Sequence, residues 1–152
     1  IRRHRLIELY LNEHLDVPWD RVHDEAERLE HAITPYLEER IDARLGYPGF
    51  DPHGAPIPTS TGTISERDLI SLADLPLHAS SVVRQVPDDK PELLRLAASL
   101  GLLPNVAVTV VGRDPSDGSV DIISDSLASS DDPLSPCHVS REVAAGIFVN
   151  RP

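Results

Sequence analysis

Methionine is absent from the 152 residues, and cysteine occurs once, at Cys137. A single thiol excludes an internal disulfide framework and a cysteine-rich zinc site. Long apolar runs are missing too. None approaches the roughly 18 residues that span a bilayer, and Ile1-Arg2-Arg3-His4-Arg5 does not lead into the apolar stretch of a signal peptide, so a cytoplasmic protein is expected. Positive charge is scarce: 14 Lys+Arg oppose 25 Asp+Glu, for a net charge of −11. A phosphate backbone repels such a chain, which is therefore not expected to bind nucleic acid by itself. Catalytic signatures are lacking as well. There is no His-Glu-x-x-His, glycine-rich phosphate loop or G-x-S-x-G, and the serine-rich stretches at 59–65 and 124–130 read as turns and loops.

What remains is a normal globular composition, 40% apolar and 26% charged, long enough for one ordinary domain or two small ones. Apolar positions three or four apart, at Val22, Ala26, Leu29 and Ile33 and then Leu37, Ile41 and Leu45, predict amphipathic helices over about 1–15, 19–33 and 35–45. Asp16-Val17-Pro18-Trp19 separates the first two. Thr34-Pro35 offers an N-cap and a proline at the first position of the third. Ile1 opens directly into helical pattern with no N-cap before it, which suggests that something upstream is missing.

Seven prolines and glycines between Tyr47 and Thr63 predict a linker over 47–65 between a helical domain at 1–46 and a second domain at 66–152. The second domain turns to β-branched runs at Ser81 to Val86, Val106 to Val111 and Ser119 to Ile123. One helix, framed by Pro91 and Gly101, lies between the first two runs, and Asp114 to Gly118 reads as a hairpin turn. The expected class is α+β, with a small curled β barrel after the helices.

The residues that can carry chemistry crowd the N-terminal region. On the helix predicted over 19–33, His23, Glu27, Glu30 and His31 occupy roughly a 100° arc of one face. His4 and Glu8 form a similar i, i+4 pair on the helix before it. Imidazole nitrogen and carboxylate oxygen without thiolate suit Mn(II) or Fe(II), and zinc less distinctively. The same spacing also fits a solvated acidic face, the reading given to Glu13, His14, Asp24 and Glu25. His78, His138 and Cys137 have no partner pattern and read as surface or structural residues.

Three segments together resemble the DtxR-type metalloregulators and their manganese-responsive MntR branch: Arg3 to Glu8, Pro18 to His31, and Asp51-Pro52-His53-Gly54-Ala55-Pro56-Ile57-Pro58. Leu93 to Val111, with Gly101-Leu102-Leu103-Pro104, resembles the FeoA-like, SH3-like barrel that ends longer members, so the resemblance extends over essentially the whole chain. It implies a helical dimerisation domain followed by that barrel. It also implies a primary metal site at Glu27, Glu30 and His31, a second at His4, Glu8 and His23, further ligands at Asp51 and His53, and an acidic ligand from the barrel at Asp88 or Asp89. Iron-responsive members usually carry cysteine at the position of Glu27, and the harder oxygen favours manganese, with Fe(II), Co(II) or Zn(II) as other occupants.

The implied function is a metal-dependent repressor of metal-uptake genes. It would work as a homodimer through residues 1–45 and meet operator DNA through a winged helix-turn-helix preceding Ile1. An iron-responsive regulator, a metal hydrolase using Glu27 or Glu30 as base, and a metal-indifferent dimeric interaction module are the alternatives.

Overall fold

A computed structural model describes residues 1–64, 66–87, 89–125 and 136–152. The chain divides into two compact units, Ile1–Glu66 and Arg67–Pro152.

In the first unit α1 (Arg2–His14) is central because it is apolar on two sides. Ile7 and Leu11 pack with Val22 and Ala26 of α2 (Val22–Leu29), while Leu6 and Leu9 pack with Ile57, Ile41 and Leu45. The break after α1 is local: Asp16 adopts φ 56°, Val17 N–H returns to the Leu11 carbonyl, and the Pro18 carbonyl accepts from Arg21 and Val22. Thr34 caps α3 (Pro35–Arg44), its hydroxyl accepting from Leu37 N–H at 3.2 Å. Arg2 ties α1 to α3 by ion pairs with Glu38, Glu39 and Asp42.

The second helix is shorter than the periodicity predicts. It starts at Val22 rather than 19 and stops at Leu29 rather than 33, with Ala32 N–H closing a tight turn on the Leu29 carbonyl. Turning out of the helix lets Ile33 pack against the Ile7 cluster before Thr34 starts α3.

Part of the Pro/Gly-rich stretch is irregular yet well packed. Asp51 folds it locally, its Oδ1 accepting the backbone N–H of His53 and of Ala55, each at 2.9 Å, and Gly54 supplies φ 84° at the turn. Asp51, His53, Ala55 and Ile57 are all buried, and Arg5 donates to the Pro56 carbonyl.

The second unit is an antiparallel sheet in the order β1-β6-β2-β3-β4-β5. Its strands are β1 (Leu69–Ser71), β2 (Ser80–Gln85), β3 (Ala107–Arg113), β4 (Val120–Ser124), β5 (Cys137–Val139) and β6 (Phe148–Asn150). Alternation buries Val108 and Val110 on β3 and Val120 and Ile122 on β4. The hairpin at Asp114–Gly118 is present, with Gly118 N–H on the Asp114 carbonyl at 2.8 Å.

Helix α4 (Pro91–Ser99) ends in a Schellman motif. Gly101 sits at φ 75°, Leu102 N–H reaches the Ala97 carbonyl, and Gly101 N–H reaches that of Ala98. The unit holds a second helix, α5 (Arg141–Gly146), where one helix was expected. The fold class is α+β. Among the described residues, no helix is long and apolar enough to cross a membrane.

Candidate metal centre

Glu8 is the pivot of the site. It lies in the middle of α1, between the two apolar contacts of that helix, and is fully buried. Its Oε1 lies 3.1 Å from His4 Nε2, one turn back on α1, and His4 Nε2 lies 3.2 Å from Nδ1 of His23 on α2. On its other side, Oε2 lies 3.3 Å from Nδ1 of His53, which is also fully buried. Two nests result, His4–Glu8–His23 and Glu8–Asp51–His53, and within each the ligand atoms lie inside 4.8 Å of one another.

Trp19 orients the second nest. Its carbonyl, which can only accept, lies 2.6 Å from His53 Nε2, and its ring stacks on the imidazole with centroids 5.9 Å apart. The proton therefore belongs on Nε2, so in the neutral imidazole the Nδ1 lone pair faces Glu8.

Electrostatics follow from burial and proximity. Burial pushes Glu8 up, but the His4 and His53 imidazoles outweigh it and hold the carboxyl at about 2. For Asp51, burial and then the charge of Glu8 raise the carboxyl to about 6 against the pull of His53 and two backbone N–H groups. Burial lowers His53, but Glu8, the Trp19 carbonyl and Asp51 together leave it raised.

The donors fit a divalent cation. Both oxygens of Glu8, Asp51 Oδ2 and His53 Nδ1 are buried without an aligned hydrogen-bond partner, a costly state that a cation relieves. Ligands about 2.0–2.2 Å from a common ion at right angles stand about 3 Å apart, close to the spacing of Glu8 from His4 and from His53.

The expected primary set is arranged differently. α2 ends at Leu29 with Glu30 still helical in backbone at the C-cap, so of His23, Glu27, Glu30 and His31 only His31 lies in the turn beyond the helix. The His31 side chain is 81% exposed and Glu27 is 64% exposed. His31 Nε2 lies 3.9 Å from Glu30 Oε1, while Glu27 reaches toward His23 at 4.0 Å, where Asp24 joins them in an exposed group. Glu30 instead turns its Oε2 to His4 Nδ1 at 3.4 Å, linking the exposed set to the buried one. Asp89 is exposed in the second unit, and Asp88 lies outside the described residues. Sequence reasoning missed the part played by Trp19, since a backbone carbonyl leaves no signature in residue type.

Comparison with known proteins gives the family. Residues 1–59 match the family model described as the iron dependent repressor, metal binding and dimerisation domain, and residues 70–151, more than half the chain, match the FeoA domain. The structure of a manganese-dependent transcriptional repressor in complex with manganese superposes with a TM-score of 0.90 at 36% identity, covering 100% of this chain and 69% of that one. The chain belongs to the DtxR/MntR family of metal-dependent regulators.

Other members give the range. ScaR with bound Zn2+ has a TM-score of 0.83 at 27% identity, over 99% of this chain and 71% of that one. The iron-dependent repressor IdeR of Mycobacterium leprae is 33% identical over 122 residues, which are 72% of this chain and 53% of that protein. The chain thus spans about half the length of the curated DtxR/MntR members it resembles in sequence over most of its own length. The names of these relatives are those of repressors, and the family to which the chain belongs is one of regulators, which lends the hydrolase alternative no support. Their order of units, a dimerisation domain followed by an SH3-like FeoA domain, is the order of the two units here.

Proposed function

We propose that this chain is the metal-sensing and dimerising portion of a manganese-responsive transcriptional repressor of metal-ion uptake genes. One observation carries the reading: the buried Glu8 carboxylate stands between two sets of unthiolated nitrogen and oxygen donors without an aligned partner. His4, Glu8 and His23 would hold one cation, with Asp51 and His53 as further ligands, and Glu27, Glu30 and His31 would form the exposed set that awaits ligands from a preceding DNA-binding domain. A bound divalent cation supplies positive charge that ties these side chains to one another and favours one domain arrangement over others.

The chain's own residues set the choice of metal. Carboxylates at Glu27 and Asp51 are hard donors, which favours Mn(II) over Fe(II). The iron reading rests on the likeness to IdeR, the manganese reading on the likeness to manganese-dependent repressors. Leu29, Tyr36 and Leu37 leave exposed apolar surface on α2 and α3, and a second copy of the chain is the occupant we assign to it. Operator DNA is met through a winged helix-turn-helix that precedes these units, since a chain of charge −11 does not attract phosphates.

Equilibrium titration of Mn(II) into the chain, read by electron paramagnetic resonance of the free ion, tests the reading. Binding that Glu8→Gln abolishes is expected. Indifference to Mn(II), Fe(II) and Zn(II) alike would leave the interaction-module reading standing instead.

A further inference from the structure

The two buried nests have one residue in common. Glu8 offers Oε1 to the side of His4 and His23, and Oε2 to the side of Asp51 and His53. Both oxygens, with Asp51 Oδ2 and His53 Nδ1, are buried without an aligned hydrogen bond, and Glu8 meets its histidines through contacts of 3.1 and 3.3 Å, so a cation would replace these contacts at either nest. Glu8 and His53 are fully buried and Asp51 is 5% exposed, so whatever enters their nest is taken out of water, while His4 and His23 keep part of the other nest's rim at the surface.

Charge limits what can enter. Histidine ligates as the neutral imidazole, so the buried donors bring two negative charges, those of Glu8 and Asp51. One divalent cation cancels them. A second would leave two positive charges in the interior, or one if the half-exposed Glu30 beside His4 is counted, and uncompensated buried charge carries a heavy desolvation cost.

We propose, building on the metal-sensing reading above, that the two nests compete for Glu8 and for one divalent cation, so that filling either weakens the other. The donor sets then sort the metals. Two imidazoles and one carboxylate at His4, His23 and Glu8 favour zinc, whereas two carboxylates and one imidazole at Glu8, Asp51 and His53 favour manganese. Pre-orientation of His53 by the Trp19 carbonyl keeps the oxygen-rich nest ready, as outer hydrogen bonds do for ligating histidines generally. Zinc is thereby an antagonist of manganese at a site it need not itself occupy.

The test uses the 152-residue chain carrying Glu27→Ala and His31→Ala, two exposed changes that remove the outer set. Mn(II) occupancy is followed by electron paramagnetic resonance, Zn(II) by equilibrium dialysis, and the Mn nest separately by fluorescence of Trp19, the one tryptophan of the chain, which stacks on His53. Zinc should release manganese one for one. His23→Ala should weaken zinc about tenfold or more while changing manganese by less than about twofold, and Asp51→Asn should do the reverse. Asparagine keeps the oxygen that accepts from His53 and Ala55, so that variant retains the local turn. Simultaneous binding of one Mn(II) and one Zn(II), each at its unperturbed affinity, would overturn the competition and leave the metal-sensing reading intact. Failure of the folded chain to bind either metal would overturn both.

Discussion

Asp51→Asn should stabilise the metal-free protein while impairing its manganese nest. The substitution preserves the oxygen that organises residues 51–55 and removes a buried negative charge beside Glu8. Burial and that neighbour raise Asp51 from 3.8 to about 6, a displacement of about two units. At about 1.36 kcal/mol per unit, holding Asp51 ionised costs the fold about 3 kcal/mol. A carboxyl raised in the folded state has its protonated form favoured by folding. The cost is therefore nil below about pH 4, grows between 4 and 6, and is fully present above 6. Urea unfolding in excess chelator, followed by Trp19 fluorescence, reads the helical unit alone, because that unit holds the single tryptophan. The variant should match the parent near pH 4 and exceed it by about 3 kcal/mol at pH 7.5. A variant no more stable than the parent at pH 7.5, or a gap already present at pH 4, would refute the assignment of a strained carboxylate. Such a trade, stability lowered so that a ligand can be held, is common at functional sites.

Three further outcomes are expected. Ile7→Ala empties part of the contact between α1 and α2 and should cost about 2–5 kcal/mol in the same urea assay. Gly118→Ala places a methyl 2.7 Å from Arg141 Cδ at a φ of +76°, and calorimetry should show the sheet unit losing about 1–2 kcal/mol while the Trp19 transition stays put. Leu37→Glu, on the exposed face of α3, should convert a dimer into a 16.7 kDa monomer in sedimentation at micromolar concentration; a parent that is already monomeric would count against the dimer.

The helices were legible because α1 and α2 bury residues at helical spacing and Thr34-Pro35 marks a start for α3 that needs no tertiary context. The end of α2 was not, since it depends on Ile33 reaching the cluster of Ile7, and no propensity at residues 30–33 announces it. That boundary changes how the set is displayed: Glu30 stays in helical backbone at the C-cap, His31 lies in the turn beyond it, and the two side chains stand 3.9 Å apart. In the sheet, β2, β3 and β4 have enough alternating residues to show period two, whereas β1, β5 and β6 span three residues each and take their identity from partners. The nest of Glu8, Asp51 and His53 came from resemblance, because the pairing of positions so far apart leaves no periodic trace.

With a cation held between them, Glu8 and His53 would also act as a cross-link. It closes a loop of about 45 residues that contains α2, α3 and every turn between them. In a polymer picture, a permanent link around such a loop removes about 4 kcal/mol of unfolded-state entropy, and a reversible ionic link recovers part of that while it is closed. Cys137 has no second thiol with which to form an internal disulfide, so this is the form of long-range staple that the helical unit possesses. It is insensitive to reductant and sensitive to chelator and acid. Proteases that attack the Pro/Gly-rich stretch around Pro52 should accordingly read the ionic state of the interior, cutting faster whenever the staple is open.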